Sequence, residues 1–197
     1  MLKFDAVILA GGQSLRMGQD KGLLLLPLEA SKKGTNAITM VESVALVLNQ
    51  AENLWVNSNG NETEYSNLGF ATVNDVLHHD IGPLAGPLLG ILTGLQTAKS
   101  DWVLFSPCDT PDLATNYAIL MTEFASKHYS YANVAFDGER RQNLHLLLHT
   151  SLQENLLMYM LAGGRKPYKW LEKIKVQEVD FSEFKAGFKN INSLADI

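Results

Sequence analysis

Residues 9–21 read LAGGQSLRMGQDK, so two glycines follow an apolar run and Arg16, Asp20 and Lys21 come within the next nine residues. Such a stretch makes a poor core element. Gly11 and Gly12 carry no side chain, which lets a ligand come close to backbone N–H groups. Arg16 and Lys21 supply cationic donors suited to phosphate oxygens. Neither common glycine loop fits. No frame supplies G-x-G-x-x-G, and a Walker A loop fails because Gly12 and Gly18 stand one residue too far apart and Lys21 is followed by Gly22. These residues alone leave two readings, a phosphate cradle or a tight turn with solvated charges.

Other reactive residue types are less telling. Cys108 has no histidine partner in its motif and reads as a small residue packed at a strand end. His145 and His149 have the four-residue spacing of a helical zinc pair, but NLHLLLH reads as a strand and has no HExxH glutamate. His78 and His79 belong to a solvated loop. Tyr159, Tyr168 and Trp170 read as packing residues rather than a stacking platform.

The bounds on the chain narrow the classes further. Its 197 residues allow one full-sized core, read as a single domain over 1–197. Hydrophobic residues make up 46% and charged residues 19%, an ordinary globular balance. The net charge of -5 argues against a nucleic-acid binder, so a phosphate ligand must be held by local basic groups. A single cysteine cannot form an internal disulfide, which points to a reducing compartment. The apolar run Ala6–Ala10 is too short for a signal core or a membrane span, so a cytoplasmic location and no membrane partner are expected.

The elements that must position these residues alternate between strands and helices. FDAVILA reads as a buried strand ended by glycines. KGLLLLPL reads as a strand or hairpin arm ended by Pro27. Thr39–Gln50 reads as a helix, NLWVNSN as a strand running into a loop, and Phe70–Val73 as another strand. Leu84, Leu88, Ile91, Leu92 and Leu95 share one helical face. DWVLFSP is a strand, followed by a helix marked by Tyr117, Leu120, Met121 and Phe124; NLHLLLH is a strand. Ser151 and Glu154 have capping-box spacing before a helix through Met160. The expected fold is α/β, a three-layer αβα sandwich with a mainly parallel, Rossmann-like sheet. Ligands in such folds sit beyond the carboxyl ends of the strands, where GGQSLRMGQDK, NSNGN, NDVLHHDIGPLAG and PCDTPD should converge.

LAGGQSLRMGQDK resembles the nucleotide-binding signature of Rossmann-like nucleotidyltransferases. Together with GPLAG (82–86), SPCDTP (106–111), DGERR (137–141), LAGGRK (161–166) and FKNINS (188–193), it resembles the molybdenum cofactor guanylyltransferase family across nearly the whole chain. The resemblance implies transfer of GMP from GTP to molybdenum-loaded molybdopterin, giving molybdopterin guanine dinucleotide and pyrophosphate with Mg²⁺. It implies nucleotide-binding positions at Leu9, Ala10, Gly11, Gly12, Lys21, Asn57, Asp75 and Asp109, with Asp109 also the metal ligand. It places Asn190 and Asn192 on the pterin side, although both could instead cap a final helix, and puts Arg16 and Arg165 at basic positions. Lys21, Arg16 and Asp109 are the candidate catalytic set, and Asp112 is a further carboxylate nearby. Molybdenum-insertion proteins upstream and molybdoenzymes downstream are the implied partners of a monomer or weak oligomer.

The chemistry is compatible. A phosphate nucleophile is already ionised, so positioning and charge neutralisation matter more than a general base. Guanine's N1–H and amine need acceptors, which a carbonyl near Leu9 or the Asp75 carboxylate could supply. A CTP or sugar-phosphate nucleotidyltransferase, or a non-catalytic nucleotide-binding paralogue, are the other readings; LAGG with SPCDTP weighs against the former, and Lys21 with Asp109 against the latter. The chain departs from the family pattern in three places. PLLG (87–90) adds about one helical turn and leaves the helix start open between the Gly82 and Gly86 frames. The LEASKKGTNAITM loop is long, and RRQNLHLLLH lacks the expected histidine-proline pair.

Overall fold

The computed structural model describes residues 2–11, 20–27, 37–76, 79–81, 86–192 and 196. The apolar run at the start forms β1 (Asp5–Leu9), all five residues of which are buried. Then follow α1 (Met40–Val47), β2 (Leu54–Asn57), α2 (Glu62–Asn67), β3 (Ala71–Val73), α3 (Pro87–Thr97) and β4 (Trp102–Pro107). The second half contains α4 (Tyr117–His128), β5 (Ala132–Phe136), β6 (Arg141–His149), α5 (Gln153–Leu161), α6 (Pro167–Lys173) and β7 (Gln177–Asp180). The strands form one sheet in the order β3-β2-β1-β4-β6-β5-β7. All its pairings are parallel except those of β6, which runs antiparallel to both β4 and β5.

Alternation along β1 explains the layers, because successive side chains of a strand point to opposite faces. Ala6 and Ile8 join Val41 and Val44 of α1 and Met121 of α4 in one core cluster. Val7 and Leu9 join Leu88, Ile91 and Leu92 of α3, Leu156 of α5 and Trp170 of α6 in another. The expected mainly parallel sheet with helices on both faces is therefore present. The helix after the GPLAG segment opens in the later of its two frames: Gly86 has φ +68, and Pro87 takes the first helical turn. Leu84 lies outside the described residues.

Three local expectations change. KGLLLLPL begins as a 3-10 turn over Lys21–Leu23, and only its later part pairs, through a Leu25–Thr39 antiparallel bridge. Ser151 and Glu154 form no capping box; a 3-10 turn over Thr150–Leu152 precedes α5, and the His149 ring accepts from the Ser151 N–H. The capping box stands at Thr39 instead, where Glu42 Oε2 accepts from the Thr39 N–H at 2.7 Å and the Thr39 hydroxyl receives the Glu42 N–H.

One close approach sets α3 against the ends of β1 and β2. A Cβ at Gly90 would collide with Asn57 Oδ1 and sit 3.0 Å from Leu9 Cδ2. Asn57 cannot swing away cheaply, since its amide is committed to Val73 O and Asp75. Alanine at an open helical position stabilises by about 1 kcal/mol relative to glycine, whereas overpacking costs about 1–3 kcal/mol. Gly90→Ala is expected to be net destabilising, by up to about 2 kcal/mol. A lower urea midpoint at unchanged slope would display it; an unchanged or raised midpoint would show that α3 has room to spare.

Candidate active site

The carboxyl ends of β1, β2, β3 and β4 open on one cavity of about 1300 Å³, closed on its far side by the first residues of β6. β1 delivers Leu9, Ala10 and Gly11 to its wall. A Cβ on Gly11 would lie 2.6 Å from Asn59 Nδ2, so only glycine leaves the backbone open there. At the β2–β3 end, Asn57 Nδ2 donates to Asp75 Oδ1 (2.9 Å) and Asn59 Nδ2 donates to Asp75 Oδ2 (2.8 Å). The Asp75 N–H returns a bond to Asn59 Oδ1 at 2.9 Å. Asp75 is thus held by amides on both oxygens.

Lys21 stands on the 3-10 turn that Asp20 caps. Asp20 accepts from Gly22 N (2.9 Å), Tyr65 Oη (2.7 Å) and Asn61 Nδ2 (2.8 Å), tying that turn to α2. Lys21 Nζ donates to Asn192 Oδ1 at 2.9 Å and lies 3.5 Å from Asp109 Oδ2. The C-terminal segment approaches Asp109 twice more: Ile191 N donates to its carbonyl at 2.8 Å, and Asn190 Nδ2 lies 3.5 Å from Oδ2. Burial holds the Asp109 carboxyl above the usual carboxylate range, and Lys21 offsets only part of that rise. Asp109 Oδ1 is buried and has no hydrogen-bond partner among the described residues. No group of three or more His, Cys, Asp or Glu among the described residues could enclose a metal. One carboxylate with an unpaired oxygen fits Mg²⁺, which is commonly held by one or two carboxylates together with phosphate oxygens and water.

A glycine-opened backbone, a lysine–carboxylate pair and a large cavity at the carboxyl edge of a parallel sheet are what a nucleotidyltransferase requires. The MobA-like NTP transferase domain matches residues 6–179. The chain belongs to that family. Molybdenum cofactor guanylyltransferase of Pasteurella multocida (strain Pm70) is 37% identical over 100% of this chain and 98% of its own length. The protein of the same name from Haemophilus influenzae (strain 86-028NP) is 33% identical over 100% of this chain and 96% of its own. The crystal structure of molybdopterin-guanine dinucleotide biosynthesis protein A from Archaeoglobus fulgidus shares the fold at a TM-score of 0.73 with 19% identity, over 98% of this chain and 94% of that one.

Within this MobA-like domain the expected site residues divide by position. Leu9, Ala10, Gly11, Lys21, Asn57, Asp75, Asp109 and Asn190 all line the cavity. Asn192 reaches it through Lys21, so Asn190 and Asn192 spend their side chains on the lysine–aspartate pair rather than on a helix end. Gly12 and Arg16 lie outside the described residues. Arg165 is not brought to the cavity wall: its guanidinium donates to the carbonyls of Met160, Gly164 and Ile81, bracing the α5–α6 turn against the segment before α3. Asp112 is exposed and does not line the cavity. Asp20 stands in the opening stretch of the sequence but has no role assigned there, and Asn59, Asn61 and Tyr65 are not singled out, because the partners Asp75 and Asp20 are remote in the chain.

Cys108, Trp170 and His145 are packed or bonded locally. Cys108 is buried and its thiol is pushed up by burial, so it stays protonated and unreactive. Trp170 is buried with its indole N–H on Asn155 Oδ1, and neither it, Tyr159 nor Tyr168 reaches the cavity. His145 and His149 lie on a strand and point to different surroundings. His149 is on the surface beside Ser151, whereas the His145 Nε2 faces Thr110 Oγ1 at 3.0 Å, with its ring edge-on to Tyr117 and Phe188.

Burial lowers His145 from 6.5 to about 3, so it remains neutral in the fold. A depressed histidine leaves stability complete above the unfolded value and erodes it as the pH falls toward the folded one. The loss is about 1.4 kcal/mol per pH unit below 6.5. Between pH 7 and pH 5.5, His145→Gln is expected to lose less stability than the parent chain, by roughly 1 kcal/mol. Urea unfolding of both proteins at the two pH values checks this; parallel pH dependences would remove His145 from the account.

Proposed function

We propose that this chain is a molybdenum cofactor guanylyltransferase: it transfers GMP from GTP to the terminal phosphate of molybdenum-loaded molybdopterin and releases pyrophosphate. The observation that carries this reading is Lys21 and Asp109, 3.5 Å apart, set in a cavity of about 1300 Å³. Sites for one small molecule occupy roughly 300–1,000 Å³, so this one has room for two substrates meeting at the charged pair. The full-length similarity to proteins named for this activity supports the same reading.

The terminal phosphate oxygen of molybdopterin attacks the α-phosphorus of GTP, a new P–O bond forms, and the bond to the β-phosphate oxygen breaks. No proton need be removed from the ionised nucleophile, so the chain's task is to bring two polyanions together. Lys21 supplies positive charge, aimed by the Asp20-capped turn on one side and Asn192 on the other. The Ala10 N–H is taken by the Asn57 carbonyl at 2.9 Å, which leaves the backbone of Gly11 facing the cavity for phosphate oxygens. Asn57 and Asp75 form the base-side wall, where the Asp75 carboxylate offers acceptors to guanine's N–H groups. The partnerless Oδ1 of Asp109 fits a ligand to Mg²⁺. When bound, that ion neutralises charge on the departing pyrophosphate.

Pyrophosphate release measured with GTP, ATP, CTP and UTP, with and without molybdopterin, tests the reading. GTP with molybdopterin is the productive pair, and GTP raises the melting temperature most, because binding to the folded form alone stabilises it. Equal shifts and equal turnover with all four nucleotides would refute guanine selection. Asp109→Asn keeps the shape and removes the charge; the expected rate loss is on the order of a thousandfold, with little change in melting temperature. A lower melting temperature with near-normal turnover at saturating Mg²⁺ would instead make Asp109 a turn residue.

A further inference from the structure

The far wall of the cavity contains an irregularity that the nucleotide-side residues do not explain. Along β5 and β6 the register runs Ala132↔Leu148, Asn133↔Leu147 and Val134↔Leu146, and then jumps to Ala135↔Gln142. Asn143, Leu144 and His145 are therefore passed over by β5, and the pairing of β6 with β4 also stops at Leu146. The three residues form an enlarged bulge, a device that commonly re-aims side chains beside a site. All three line the cavity.

Both ends of the bulge are pinned. On one side, Gln142 Nε2 donates to Asp137 Oδ2, while Asp137 Oδ1 accepts the N–H groups of Glu139 and Arg140 at 2.8 Å each. On the other, His145 is fixed to Thr110 in the loop that carries Asp109. Asn143 between them is uncommitted. Its Oδ1 is buried without a hydrogen-bond partner, and its Nδ2 makes no hydrogen bond among the described residues. Leaving such a group unpaired costs about 1–3 kcal/mol, which a ligand could recover. The terminal amide torsion is soft, so either end can be turned toward a ligand.

The sheet order separates Asn143 from the Asn57–Asp75 wall. From β2, which carries Asn57, to β6 there are three strand steps, through β1 and β4. At about 4.8 Å per step this is roughly 14 Å. One heterocycle held by Asn57 and Asp75 cannot also meet Asn143, and the Lys21–Asp109 pair lies between the two. We propose that Asn143, carried on this bulge, is a specificity-determining residue for the acceptor, its amide pairing with the lactam edge of the pterin ring through one donated and one accepted hydrogen bond. The assignment of the acceptor as a pterin rests on the guanylyltransferase reading above.

Titration calorimetry of metal-free molybdopterin and, separately, of GTP into the parent chain, Asn143→Leu and Asn143→Asp tests the proposal. Asn143→Leu is expected to weaken molybdopterin binding by about tenfold or more, leave GTP affinity within about twofold, and raise the KM for the acceptor while sparing kcat. Asn143→Asp keeps the shape and one acceptor, and is expected to fall between leucine and the parent, guarding against a leucine variant that folds poorly. Unchanged molybdopterin affinity in both variants overturns the proposal. Equal weakening of both ligands overturns it as well, because the bulge would then be scaffolding. A parent chain that binds molybdopterin in an Asn143-dependent way but releases no pyrophosphate from GTP would refute the guanylyltransferase reading alone. Failure of the parent chain to bind molybdopterin would refute both.

Discussion

A carboxylate placed in a largely buried position needs a compensating charge, and most of the site is organised around meeting that need at Asp109. Its strand-end location fixes the backbone, since β4 ends at Pro107 and the chain turns immediately afterwards. Burial favours the neutral acid and holds the carboxyl above its ordinary range; Lys21 offsets part of that rise. Lys21 must in turn be aimed, which accounts for the Asp20 cap, its bonds to Asn61 and Tyr65, and the reach of Asn192 across the mouth of the cavity. Coulomb energy falls with distance and with solvent access. A lysine on an unrestrained loop would supply little of what this held pair can.

The parallel strands contribute a second constraint. Because β1, β2, β3 and β4 run in the same direction, their carboxyl ends deliver glycine backbone, amide, carboxylate and Asp109 to one edge. β6 runs the other way, so the residues it brings to that edge come from its beginning rather than its end. Its first half is also where the regular ladder gives way. The two walls of the cavity thus differ in construction: tight glycine approaches and amide–carboxylate bonds on one side, a bulge with an uncommitted amide on the other.

Much of the nucleotide wall was legible in the sequence, because strand-ending glycines and a polar loop after each apolar run are local signals. β1, β2, β4, α3 and α4 follow from such patterns. β7 was not legible: of Gln177–Asp180 only Val179 is buried, so no alternation betrays an edge strand. α2 was missed for a similar reason, as Tyr65 is its one buried residue. Within the site, Lys21, Asn57, Asp75 and Asp109 carry recognisable residue types at recognisable places. The bonds that orient them join positions such as Asp20 with Tyr65, whose pairing depends on the folded topology and not on spacing. Arg165 shows the opposite error, a basic residue in a glycine-rich loop whose charge is spent on backbone carbonyls.

The hydrogen bond from Lys21 to Asn192 joins positions 171 residues apart. During synthesis β1 and its loop leave the ribosome long before Asn190 and Asn192 exist. Domains form progressively from the N-terminal side as the chain is made, and the closure entropy of a long loop grows only slowly with its length. The nascent protein therefore acquires its lysine early and its aspartate past the midpoint, but lacks the asparagines that hold them until translation has nearly passed through the whole fold. The arrangement makes completion of the charged centre wait on the segment that carries Asn190 and Asn192.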